Sequence, residues 1–129
     1  MNTKKHKIES FTDLNAWKEG HKLVLLIYKV TKTFPKEEMF GLISQIRRAA
    51  VSFTSNIAEG FSRHSYKEKA QFYSIALGSL TEIQNQLVIA RDLGYISEKC
   101  FLELANRTID VSKITNGLIK KSNDIFHNS

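Results

Sequence analysis

The chain has one cysteine, one proline, one tryptophan and six glycines in 129 residues, and each scarcity removes a class of protein. A lone Cys100 cannot close an internal disulfide, and a single thiol suits a reducing compartment. Sparse Gly and Pro argue against a sheet protein, whose many chain reversals need those residues. The longest apolar run, "LVLLIY" from Leu23 to Tyr28, is far short of the roughly 20 residues that span a bilayer. Residues 1–10 lack the apolar stretch of an export signal. The expectation is a soluble cytoplasmic protein with no membrane partner.

Catalytic constellations are missing as well. His6, His21, His64 and His127 include no pair at the i, i+4 spacing of a zinc-binding helix, and no Glu-x-x-His occurs. The acid–histidine pairs His64 with Glu68 and Asp124 with His127 straddle a helix start and a chain end, so neither reads as a metal site. His21 lies one turn from Trp17 and reads as a packing residue. Cys100 near a helix start reads as a structural thiol, because a buried Cys usually behaves as a small hydrophobe. Gly41, Gly60, Gly78 and Gly94 are too far apart to make a phosphate loop. No enzyme, metal or cofactor is expected.

What is present is helical rhythm. With 42% apolar and 25% charged residues, the chain reads as one ordered domain over 1–129, with flexible ends at about 1–10 and 122–129. A first helix is expected from Asp13 to Thr33, capped by Thr12 and closed by Pro35, with Leu14, Trp17, Val24, Leu25 and Tyr28 facing inward. Leu23, Leu26, Ile27 and Val30 then fall on other sides. A helix apolar on more than one side needs more cover than a four-element monomer readily supplies, so this surplus points to self-association.

A second helix is expected from Phe40 to Glu59, ending at a left-handed Gly60, with Leu42, Ile46, Ala49, Ala50, Phe53 and Ile57 inward. Ser65 with Glu68 opens a third from Tyr66 to Leu93, stopped by Gly94 and packed through Phe72, Ala76, Ser79, Leu80, Ile83, Leu87 and Ala90. Gly78 and Ser79 on it would admit a close neighbour. Ser97 caps a fourth from Glu98 to Lys121, with Phe101, Leu102, Ala105, Ile109, Ser112, Ile114 and Leu118 inward. Short connections make sequential helices antiparallel, which gives an all-α, antiparallel, up-down-up-down four-helix bundle.

Two polar features stand out from this frame. Gln45, Arg48, Ser52, Asn56 and Glu59 form one narrow stripe on the second helix. Burying a charge without a partner is costly, so the stripe is expected to meet Ser79, Glu82 and Gln86 in a hydrogen-bonded seam that fixes helix register or subunit pairing. A ligand-binding role for the stripe is the rival reading.

The second feature is a net charge of +6, from 19 Lys and Arg against 13 Asp and Glu. Lys18, Lys22, Lys29 and Lys32 lie along the first helix, and Arg47, Arg63, Lys67 and Lys69 around the second and third. With the basic ends Lys4 to Lys7 and Lys120 with Lys121, they are candidates for contacting a nucleic-acid backbone, RNA or DNA. Repeating the patch around an oligomer would multiply such contacts.

The stretch "FPKEEMFGLISQIRRAAVSFTSNIAEGFSR" (Phe34 to Arg63), with "FTDLNAWKEGHKL" before it and "FYSIALGSLTE" and "ARDLGYI" after it, resembles the bacterial four-helix-bundle proteins encoded within 23S ribosomal RNA intervening sequences. The resemblance implies a cytoplasmic antiparallel bundle that assembles as a ring-shaped homopentamer. That family is similar in turn to the accessory variability determinant proteins of diversity-generating retroelements, which implies nucleic acid or a protein such as a reverse transcriptase as partners. Phe53 and Thr54 depart from the Ile and Pro more common in the family. Thr54 keeps the backbone N–H that Pro would lack, so a proline kink is not expected to carry over.

Overall fold

Ser10 opens the regular structure. Its hydroxyl accepts the Thr12 N–H (3.1 Å), while the Asp13 carboxylate accepts the Ser10 N–H (3.0 Å), a reciprocal cap around a short 3-10 turn, Phe11–Asp13. Helix α1, Asn15–Thr31, follows with Leu14 at its N-cap and no side-chain cap of its own. Ser10, not Thr12, therefore marks the entry. A second 3-10 turn, Lys36–Glu38, leads from Pro35 to α2, Leu42–Ser62; then come α3, Tyr66–Asp92, and α4, Glu98–His127. This computed structural model describes residues 7–129, and among them there is no strand. Lys4, Lys5 and His6 of the basic start lie outside the described residues.

Each helix packs on its neighbours in sequence, and α1 also packs on α4; the backbones of the diagonal pairs, α1 with α3 and α2 with α4, do not approach closely. That is the expected all-α up-down-up-down bundle. One continuous apolar cluster runs through it, with Leu23, Ile27, Ile46, Phe53, Ile57, Leu80, Ile83 and Leu87 at its centre. Phe53 is among its most enclosed side chains. It lies against Gly20 of α1, where an added Cβ would run into the ring.

Several boundaries and faces differ from the sequence expectation. Helix α2 starts after Phe40 and continues past Glu59 to Ser62, so Gly60 sits inside the helix and ends nothing. It is there for space, since a Cβ would come within 2.7 Å of the Tyr73 ring and 3.1 Å of the Phe72 Cβ. Gly94 does take the left-handed conformation (φ 78°), and it ends α3 as expected. Gly78 does not mark a close approach, because a Cβ there would meet nothing within 4 Å. The Ser65 cap holds through its hydroxyl, which accepts the Glu68 N–H at 3.1 Å and donates to the Glu68 carboxylate at 3.0 Å.

The inward faces of α1 and α4 are rotated from those expected. Ala16, Gly20, Leu23, Ile27 and Thr31 form the buried face of α1, while Leu25 is 57% exposed and Tyr28 is exposed. Leu23 and Ile27, counted as surplus from sequence, belong to the monomer's own core. In α4 the buried face is Leu104, Thr108, Val111, Thr115 and Ser122, and Leu102 and Ile109 are exposed. Its hydroxyls stay satisfied inside the core, with Thr115 donating to the Val111 carbonyl (2.8 Å) and Ser122 to that of Leu118 (3.0 Å). Nor does α4 stop at Lys121. It runs to His127, with Ser122 buried, Asn123 and Phe126 facing α3 across an open recess, and the Lys120–Asp124 pair (3.1 Å) reinforcing the last turns.

Candidate nucleic-acid interface and helix seam

The eight basic candidates separate into two groups. Arg47 is tied down between α1 and α2: its Nε donates to the Thr31 hydroxyl (2.9 Å), and its guanidinium lies 4.6 Å from the centre of the Tyr28 ring. Arg63 pairs with Glu59 (3.1 Å) and stacks over Phe72 at 4.6 Å. Lys69 donates to the Phe61 carbonyl at 2.6 Å beneath the Phe61 and Tyr66 rings, and partial burial lowers its pKa from the usual lysine value. These three cations join helices together. Lys22 is exposed but lies 3.0 Å from Glu19. Lys18 and Lys29 on α1, Lys32 just past its end and Lys67 at the start of α3 are exposed, and none of them is in an ion pair with another described residue. They are the side chains with charge to offer a polyanion.

Helix α1 presents these lysines because its buried residues fall at Ala16, Gly20, Leu23, Ile27 and Thr31, a three-four spacing that turns Lys18, Lys22, Lys29 and Lys32 outward. Lys18 borders an open recess between α1 and α4 of about 550 Å³, which also takes in Leu14, Gly117 and Lys121. Lys67 borders a second recess between α3 and α4, about 530 Å³, with Gln71, Asn123, Phe126 and His127. Lys120 at the other basic end is engaged with Asp124.

The polar stripe divides along the α2–α3 groove. Its centre is a hydroxyl and amide cluster: the Ser79 hydroxyl donates to Ser52 Oγ (3.0 Å), and Asn56 Nδ2 donates to the Ser52 carbonyl (2.8 Å) and hydroxyl (3.2 Å). Ser79 is buried, and Ser52 and Asn56 are partly so. Gln45, Arg48, Glu59 and Glu82 lie exposed on either side of that cluster. Glu59 is held by Arg63 and the Ser62 hydroxyl, so it does not depend on Arg48. Gln86 is 8% exposed, and its Oε1 has no hydrogen-bond partner. The layer buried within one chain thus contains Ser52, Asn56, Ser79 and Gln86, and the charged members form its rim.

Among the described residues no three His, Cys, Asp or Glu side chains converge as metal ligands do. His21 stacks on Trp17, rings 4.7 Å apart and 10° from parallel, which is the packing role expected for it. Burial, followed by the charge of Glu103, raises the Cys100 thiol pKa above its ordinary value, so the thiol is not activated. One contact escaped sequence reasoning altogether: Tyr95 in the α3–α4 turn donates to Glu38 Oε2 at 2.8 Å, which pins the turn before α2 to the bundle end. Residues 57 positions apart leave no sequence signal for such a bond.

The profile of the family described as 23S rRNA-intervening sequence protein matches residues 12–117. A crystal structure from Bacteroides thetaiotaomicron, titled as a protein with unknown function from the S23 ribosomal protein family, superposes with a TM-score of 0.75. It is 22% identical, over 81% of this chain and 95% of that one, a likeness of fold. No match is found among curated proteins.

Proposed function

We propose, from the premise that the chain belongs to the 23S rRNA-intervening sequence protein family, that it is a non-enzymatic, cytoplasmic, homo-oligomeric bundle that binds structured RNA through a repeated basic surface. The observation that carries this reading is the set Lys18, Lys29, Lys32 and Lys67, exposed and outside every ion pair among the described residues. An unpaired surface ammonium releases counterions from a phosphate backbone at little cost in lost protein contacts. Arg47, Arg63 and Lys69 would have to give up existing bonds to do the same. The family's description, which names 23S rRNA intervening sequences, makes a structured RNA the first probe. The ring of five copies is what the family resemblance implies. Its effect would be to present each lysine set several times to one RNA.

Binding of the full chain to a structured ribosomal RNA segment and to a matched random duplex, across a range of salt, tests the reading. A salt-dependent affinity with preference for the structured RNA is expected. Absence of binding at low salt would remove the RNA role, and a steep slope without preference would leave only attraction to charge. A second reading, a scaffold that recruits a protein such as a reverse transcriptase, is favoured by a different observation. Leu25, Leu93 and Leu102 are at least half exposed and Phe40 almost wholly so, which is the kind of surface a protein partner covers.

A further inference from the structure

Phe40 is 96% exposed, the least covered large apolar side chain among the described residues. It stands in the turn before α2 beside Met39, itself 48% exposed. The turn that carries it is not loose: Glu38 accepts the Tyr95 hydroxyl and also the Leu42 N–H (3.2 Å), so Phe40 is held out on a fixed platform. Gly41 follows it, and a Cβ there would come within 2.9 Å of the Glu38 carboxylate. The same end of the bundle carries a recess of about 440 Å³ between the end of α1 and the start of α4. Its floor is apolar, made by Leu26, Val30, Tyr95, Ile96 and Cys100. A closed cavity of about 150 Å³ already accepts benzene, so an open recess of this size has room for one benzyl group.

Knob and hole lie at the same end of the bundle, tied together through the Glu38–Tyr95 bond, but they are different surfaces: Phe40 projects from the turn before α2, and the recess lies between α1, the α3–α4 turn and α4. A side chain and a pocket on different surfaces can make a head-to-tail contact when two copies meet, and repeated head-to-tail contacts close into a ring where the rotation between copies closes. Charges agree with that docking. Lys36 and Glu37 are exposed beside the knob; Lys29 and Glu103 are exposed at the recess and in no ion pair with another described residue. Glu37 of one copy can meet Lys29 of the next, and Lys36 can meet Glu103.

We infer that Phe40 of each copy seats in the Leu26–Val30–Cys100 recess of the adjacent copy, and that this contact is the joint of the homo-oligomer. The inference rests on the self-association in the proposed function and assigns it a site. It also turns Lys29 toward the joint, leaving Lys18, Lys32 and Lys67 of the unpaired set to face nucleic acid.

The chain's own chemistry supplies the test, because its single thiol, Cys100, lines the recess. A Phe40→Cys variant is oxidised by dissolved oxygen in mildly alkaline buffer, which favours the reactive thiolate form that burial of Cys100 disfavours. If the knob sits in the neighbour's recess, the introduced thiol bonds to the neighbour's native one. Each copy is then linked on two sides, and a non-reducing gel shows a ladder beyond dimers. The Phe40→Cys, Cys100→Ser double variant should lose the ladder. Separately, Phe40→Asp should weaken assembly at least roughly tenfold in sedimentation while leaving helicity and melting unchanged, since the side chain touches little of its own chain.

A ladder that depends on Cys100, together with dissociation of Phe40→Asp, supports the joint. An oligomeric wild type with no ladder, with dimers only, or with Phe40→Asp unaffected overturns the joint but leaves self-association standing. A wild type that is monomeric at every concentration overturns both.

Discussion

The two long seams of this bundle are built differently. Between α2 and α3 the packing is the densest in the molecule. Gly60 admits the Tyr73 ring, Ser79 donates to Ser52, and Leu80 and Ile83 are fully enclosed. Between α1 and α4 the packing is the thinnest, and two recesses of about 550 and 440 Å³ open along it. Part of the cause is length. At 1.5 Å of rise per residue, the 17 residues of α1 cover about 25 Å and the 30 of α4 about 45 Å, so α4 outruns its neighbour. The 21 residues of α2 match the 27 of α3 more closely. One side of the chain holds the fold, and the other is left open.

Substitutions can break that contrast. Leu80→Ala, at a site with no exposure, should cost about 2–5 kcal/mol in urea unfolding, whereas Leu118→Ala, beside the open α1–α4 recesses, should cost less than half as much. Equal losses would mean that the two seams share the load. Next in size, Gly60→Ala should cost about 1–3 kcal/mol by forcing the Tyr73 and Phe72 side chains aside. Gly78→Ala, the same change on the outer face of α3, should instead stabilise by up to about 1 kcal/mol, because Ala is the better helix former and nothing obstructs its Cβ. A loss at Gly78 would show that this face is already covered by something.

A pH titration sharpens the same comparison from the core side. Burial, followed by the neighbouring Tyr66, pushes the Tyr73 hydroxyl up to about 12 from an ordinary 10.0. A raised pKa favours the neutral form in the fold, so this contribution is fully present below pH 10 and is lost as pH rises toward 12. Tyr73→Phe should flatten the fall in stability over that window, measured as melting temperature against pH. The smallest effect is expected at Arg48→Ala. The sequence placed Arg48 in a buried seam with an acid that would be left unpaired. It is exposed instead, and Glu59 has Arg63, so the loss in one chain should stay within about 0.5 kcal/mol, like that of Lys29→Ala. A larger loss that grows with protein concentration would place Arg48 against another copy.

Much of this was readable beforehand, and the misreadings share a cause. The presence and order of the four helices, the Ser65 and Ser97 caps and the Gly94 stop follow from local chemistry and agree with the sequence reading, while the ends of α1, α2 and α4 do not. The facing of α1 and α4 does not agree either, because large apolar residues dominate a hydropathy reading while the closest helix contacts use small ones. Gly20 against Phe53 and the self-satisfied Thr108 and Thr115 define the true inward faces. Trp17, by contrast, lies at the flank with Phe11 and His21. Among the basic candidates, sequence cannot separate Arg47, Arg63 and Lys69 from Lys18, Lys32 and Lys67. The carbonyls, hydroxyls and rings that engage the first three come from other turns or helices. The Phe40 knob shows no periodic signal, being one apolar residue at the mouth of a helix.

Amide hydrogen exchange of the full chain, measured at low and high protein concentration, tests the division between the two sides most directly. If one side holds the fold and the other joins copies, residues 26–30 and 97–103 should exchange more slowly as the protein is concentrated, while the facing residues of α2 and α3 keep one rate throughout. Exchange that is identical at every concentration along α1 and α4 would contradict the account.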